Sequence, residues 1–92
     1  MAYVVQFTPG KMNSEQYDHV IKLLEGAGVG APQGRMYHAS YGSPESLRVV
    51  DVWESMELFE RFGATLMPIL AQLGVDPGTP DIHPAHNVIV GR

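Results

Sequence analysis

The sequence predicts an α+β protein, and three observations carry that reading. Short runs rich in β-branched and aromatic residues are interleaved with two stretches of helical periodicity. Their order along the chain is strand, helix, strand, strand, helix, strand. Gly, Pro, Asn and Ser cluster between the runs, where turns and caps need them.

The first strand is the run AYVVQF (residues 2–7), closed by TPG (8–10). NSEQYDHVIKLLEGAG then reads as a helix. Asn13 can cap it, Gln16 three residues on can complete a capping box, and Gly26 and Gly28 stop it. Tyr17, Val20, Ile21 and Leu24 fall at the spacing of one apolar face. After the loop GVGAPQG come RMYHASY (35–41) and LRVVDVW (47–53), joined by GSPES. Pro44 suits the second position of a type I turn, so the two runs predict a hairpin. Ser55 can cap the second helix, with Glu57 on the favourable side of its dipole. Leu58, Phe59, Phe62, Leu66, Ile69, Leu70 and Leu73 make its apolar face. Pro68 lacks an N–H and predicts a break near Gly63 to Thr65. DIHPAHNVIV (81–90) supplies the last strand, where Pro84 favours an edge or a bulge. The whole order is that of the ferredoxin-like βαββαβ arrangement with a four-stranded antiparallel sheet.

Residues 1–92 are read as one domain, since no linker, repeat or low-complexity stretch divides them. Apolar residues make 45% of the chain and charged ones 17%, which excludes a disordered tail. A net charge of −4 with six Lys and Arg lacks the basic footprint of a nucleic-acid binder. No apolar run approaches the ~20 residues of a membrane span. Absence of cysteine excludes disulfides, thiolate metal sites and a Cys nucleophile. No nucleotide or flavin motif is present, and GAGVG follows a helix instead of a strand. These features lead to the expectation of a cytoplasmic protein with no cofactor, no resident metal, and no nucleic-acid or membrane partner.

The strands are apolar on both parities. Tyr3, Val4, Val5 and Phe7 in the first, and Val49, Val50, Val52 and Trp53 in the third, leave neither sheet face polar. Two helices can cover one face only, which predicts a symmetric homodimer that packs two sheets together.

RVVDVWES, followed by ELFERF and then HPAHNVI, resembles the dimeric α/β-barrel superfamily, and within it the small bacterial antibiotic biosynthesis monooxygenase-like proteins. The resemblance spans about residues 3–90. It implies a homodimer forming an α/β barrel, with a ligand pocket between sheet and helices in each subunit. Members of that superfamily include cofactor-free oxygenases, polyketide cyclases, haem-degrading enzymes and hydroxynitrile lyases, so the fold does not choose a reaction.

Asp51, between Val50 and Val52, is the residue that asks for a partner. If Gly42 and Leu47 flank the turn, His38 falls opposite Asp51, Met36 opposite Trp53 and Ser40 opposite Val49. A His and an Asp opposed on neighbouring strands are within hydrogen-bonding reach, and the carboxylate would hold the imidazole in one tautomer. A one-residue slip would put Tyr37 there instead. The pair is the base-and-orienter half of many acid–base sites, and equally a device for fixing strand register.

His38, Asp51 and His86 are therefore the candidate catalytic residues. Met36, Tyr37, Trp53, Phe59, Phe62 and Met67 are the candidate walls of an apolar ligand pocket. Tyr3, Tyr37 and Tyr41 are candidate hydrogen-bond donors, and Arg35 and Arg48 are expected at strand ends or on the rim. His83 and His86 would need a bulge at Pro84 to converge, and a third ligand is lacking. Haem held by a single His would need a large cleft that short loops do not offer. The functional expectation is a small-ligand-binding dimer, in one form a cofactor-free monooxygenase- or cyclase-like enzyme acting on a small apolar or aromatic carbonyl or phenol. The alternative is a non-catalytic ligand-binding or structural homodimer in which the His–Asp pair is structural.

Overall fold

The computed structural model describes residues 1–91. Strand β1 is Tyr3–Phe7, helix α1 Ser14–Gly26, strand β2 Arg35–Ser43, strand β3 Ser46–Trp53, helix α2 Met56–Gln72 and strand β4 Asp81–Pro84. One antiparallel sheet holds the four strands in the order β2-β3-β1-β4. This is the α+β, ferredoxin-like topology. The most apolar runs, β1 and β3, take the central places. Edge places fall to the polar β2 and to β4, whose Pro84 cannot donate to a ladder.

Both helices lie on one face. Val20 and Leu24 of α1 and Phe62 and Leu70 of α2 pack against Val5, Val49 and Trp53 of the sheet. Helix α1 starts on the capping box read in the sequence: the Asn13 side chain accepts from the Gln16 N–H, and the Gln16 side chain accepts from the Asn13 N–H. Ser55 Oγ accepts from the Leu58 N–H at the start of α2. The β2–β3 hairpin turns at Pro44 and Glu45, and its tip is tied to the segment before α1. Ser14 N–H donates to Pro44 O (2.7 Å) and Leu47 N–H to Met12 O (2.8 Å). No helix among the described residues is long and apolar enough to cross a membrane.

The structure departs from the sequence expectation at three places. Helix α2 runs unbroken through Pro68. Pro68 and Ala64, four residues before it, are both solvent-exposed, so the carbonyl that loses its partner can be hydrated while the buried side of the helix stays intact. The last strand stops at Pro84 instead of running to residue 90, because Pro84 already pairs with Tyr3, the first residue of β1. One further bond, Ala85 N–H to Ala2 O (2.8 Å), ends the ladder. Residues 87–91 then lie beside Val4, Tyr37 and Val52 on the sheet face away from the helices.

The third departure is a β-bulge. The hairpin register pairs His38 with Asp51, Ser40 with Val49 and Gly42 with Leu47 as expected, but Trp53 pairs with Arg35 and not with Met36. Met36 is the extra residue of an irregularity between Arg35 and Tyr37. Gly34, just before it, has φ +91°, and a Cβ there would come within 2.5 Å of Leu58 Cδ1. Only glycine lets the start of β2 approach α2 this closely.

Candidate functional site

Asp51 stands at the centre of β3, opposite Val5 on one side and His38 on the other, and is 4% exposed. Such a carboxylate needs each oxygen satisfied. Oδ1 is 2.5 Å from His38 Nδ1, and Oδ2 accepts from Trp53 Nε1 at 3.2 Å. Trp53 is two residues along the same strand, so its side chain lies on the same face, and it is fully buried. Phe59 and Phe62 hold its ring, with centroids at 5.6 and 5.4 Å. The aromatic cluster thus fixes the indole, the indole fixes the carboxylate, and the carboxylate fixes the imidazole.

The far nitrogen of that imidazole is engaged too. Tyr17 of α1 places its Oη 2.6 Å from His38 Nε2, with the two rings nearly coplanar at 5°. An ionised Asp51 only accepts, so Nδ1 carries a hydrogen and, in the neutral ring, Nε2 accepts from the Tyr17 hydroxyl. The result is one chain, Trp53 N–H to Asp51, Asp51 to His38, His38 to Tyr17, running from the core to a cavity. No buried side-chain polar atom among the described residues lacks a partner.

Tyr17, His38 and Asp51 line a cavity of about 60 Å³ between the sheet and the helices. Its remaining wall is mostly apolar, with Phe7, Ile21, Val49 and Phe62 among its residues, and one cation, Arg35. Without the bulge, Arg35 and His38, three apart on a strand, would face opposite sides of the sheet. The bulge puts Arg35 opposite Trp53 and so on the cavity side. Its guanidinium lies 5.7 Å from the centre of the Phe62 ring, and Nη2 donates to Gly30 O at 3.2 Å.

Of the residues singled out from the sequence, His38, Asp51 and Phe62 meet at this cavity. Trp53 and Phe59 stand behind its wall and support it. Met36 is 48% exposed at the bulge, and Met67 is exposed on α2; neither lines the cavity. Tyr37 pairs with Val52 on the opposite sheet face, and Tyr41 there bonds to Gln6. His86 is exposed in the segment after β4. His83 bonds to Asp81 at the exposed edge, and no three His, Asp or Glu side chains among the described residues gather as a metal site. The sequence reads Tyr17 only as part of an apolar helix face and Arg35 only as a strand-end or rim residue, so it names neither for the site. A tyrosine inside an apolar helical stripe carries a polar tip that needs a partner, which was the available signal for Tyr17. Arg35 depends on a bulge that no sequence feature marks.

No protein-family model and no curated protein matches the chain. Solved structures do. The cofactor-independent oxygenase SnoaB from Streptomyces nogalater superposes with a TM-score of 0.62 at 17% identity, over 96% of this chain and 94% of SnoaB. A proposed antibiotic biosynthesis monooxygenase from Chloroflexus aurantiacus gives 0.65 at 15%, over 99% of this chain and 100% of the other. Another, from Deinococcus radiodurans, gives 0.59 at 10%, over 99% and 97%. The chain has the fold of the antibiotic biosynthesis monooxygenase-like proteins. At these identities the likeness is one of fold, and the chemistry of an antibiotic biosynthesis monooxygenase-like fold resides in the side chains around its cavity.

Proposed function

We propose that the protein is a small-molecule acid–base enzyme of the monooxygenase- or cyclase-like kind, acting on a small carbonyl or phenolic compound. The observation that carries this reading is the Trp53–Asp51–His38–Tyr17 chain ending at a cavity. A substrate O–H or activated C–H placed against Tyr17 Oη would pass its proton to that oxygen as the Tyr17 proton moves to His38 Nε2. Asp51 would steady the imidazolium so formed. The carbanion or phenolate left behind is the species that dioxygen would attack in an oxygenase, or that would close on a carbonyl in a cyclase. SnoaB, a cofactor-independent oxygenase on the same fold, adds support by analogy.

The protein would work as a symmetric homodimer. The sheet face away from the helices carries Tyr37, Ile89 and Val90, all exposed, and that face is the one a second sheet would cover.

One observation favours the second reading, a non-catalytic homodimer with a structural His–Asp pair. The cavity's 60 Å³ is the room of about two water molecules, and every buried side-chain polar atom among the described residues is already satisfied. The two readings separate on His38→Asn and Tyr17→Phe. His38→Asn keeps a donor for Asp51 and removes the proton-accepting nitrogen. Tyr17→Phe removes only the hydroxyl. Wild type and both variants are compared for oxygen uptake and for solvent-deuterium exchange across a panel of small phenols and 1,3-dicarbonyls. An enzyme loses about 10²–10⁴-fold in rate in each folded variant. No turnover in the wild type, or equal rates in all three proteins, would end the catalytic reading.

A further inference from the structure

Among the described residues, Arg35 is the one cationic residue that lines the cavity, and no acidic group touches it. Arg35 reaches its wall from the edge strand, and among the described residues no carboxylate oxygen lies within 4.0 Å of the guanidinium. Of the five N–H donors a guanidinium carries, one is used, on Gly30 O. The guanidinium sits between the ring of Phe62, which lines the cavity, and the carbonyl of the exposed Gly30. Asp51, the acidic group lining the same space, has both oxygens taken by His38 and Trp53.

The backbone is built to this end. Regular β pairing would have sent the Arg35 side chain to the other sheet face, into the groove beside Tyr37. One extra residue, Met36, turns it back to the side of His38, and Gly34 lets the strand enter against α2 at that point. The irregularity leaves Met36 itself 48% exposed.

We infer that Arg35 is the anion-binding residue of this cavity and that its ligand is a small carboxylate-bearing molecule. The inference rests on the cavity being a ligand site, as in the proposed function, and adds the class of ligand. A carboxylate matches the guanidinium fork with two parallel bonds, where a neutral amide or ketone matches it with one. Bound there, it would be held on the same sheet face as Tyr17 and His38, so that Arg35 orients the molecule and the relay handles its proton. Arg35 offsets the charge of Asp51, so an anion does not enter a negative site.

The test is an NMR chemical-shift titration of the full chain with propionate and with its neutral isostere propionamide. Wild type, Arg35→Gln, Arg35→Lys and His38→Asn are compared. The expected result is that wild type binds propionate at least about tenfold more tightly than propionamide, as one charge-assisted bond predicts, with shifts at Tyr17 and Val49. Arg35→Gln abolishes that preference, and Arg35→Lys, which keeps the charge without the fork, retains part of it. The inference is overturned if wild type binds neither probe or shows no preference, or if the preference survives in Arg35→Gln. His38→Asn keeps the preference. A His38 variant that retains both the preference and the catalytic rate defeats the proton-transfer reading and leaves the anion site standing.

Discussion

His38→Ala should be among the most destabilising single substitutions in the chain, and its cost can be worked from the burial of its partner. The Asp51 side chain is 5% exposed and the His38 side chain 20%. Truncating the histidine leaves a buried carboxylate with only the indole N–H on its other oxygen, and leaves the Tyr17 hydroxyl without an acceptor. Breaking a buried pair from one side costs about 3–5 kcal/mol. Unfolding 92 residues at ~2.1 cal/mol/K each gives an entropy near 0.19 kcal/mol/K, so Tm should fall by about 15–25 °C. Trp53, the single tryptophan, touches Asp51 and is fully buried, which makes its fluorescence the natural signal for urea unfolding. Protomer concentration must be held fixed, because association would move the midpoint by mass action. Asp51→Ala, added to His38→Ala, should cost far less than it does in the wild type, since the charge it removes has already lost its partner. A cost below about 1 kcal/mol, or additive single and double variants, is what a solvent-screened surface pair would give. Either result would refute the buried relay.

Trp53→Phe keeps most of the ring and removes one donor to Asp51. It should cost about 1–3 kcal/mol in the same urea assay and shift the His38 ring ¹⁵N signals. Gly34→Ala should cost at least about 1–3 kcal/mol, because φ +91° and a 2.5 Å approach to Leu58 both oppose a Cβ, and thermal unfolding would register it. Pro68→Ala restores an N–H in the middle of α2 and should raise stability by about 2 kcal/mol, the helix gain less the entropy returned to the unfolded chain. A neutral or destabilising outcome would mean that the helix has already relaxed around the proline.

Local chemistry in the sequence was enough for the element order, the caps and the hairpin, because each is decided within a few residues. Asn13 and Gln16 form a box whatever the rest of the chain does, and Ser43 to Ser46 close a turn that sets His38 against Asp51. What the sequence hid depends on tertiary context. Pro68 is tolerated because it sits on the wet side of α2, a property of packing and not of propensity. The ladder at Pro84 ends where β1 runs out, which a strand read alone does not reveal. Arg35 and Tyr17 entered the site through a bulge and through the position of α1 over the sheet. Conversely, Met36, Tyr37, Met67 and His86 were chosen for residue type, and the fold carries them to the surface or to the other face.

Ligand access ties the relay to Arg35. A dry cavity near 150 Å³ takes a benzene ring, and this one has about 60 Å³, so an aromatic substrate requires a wall to move. Phe62 lines both the cavity and a neighbouring groove of about 200 Å³ beside Val29, Pro32 and Thr65. The same ring supports the Arg35 guanidinium and packs on Trp53. Swinging Phe62 aside would join the two spaces at the expense of a cation–π contact of about 0.5–2 kcal/mol and of packing against the indole. A carboxylate arriving at Arg35 replaces the first of those losses with a stronger charge-assisted bond, and a neutral ligand does not. The expected outcome is that small acids enter faster than neutral molecules of the same shape, and equal association rates for propionate and propionamide would refute it.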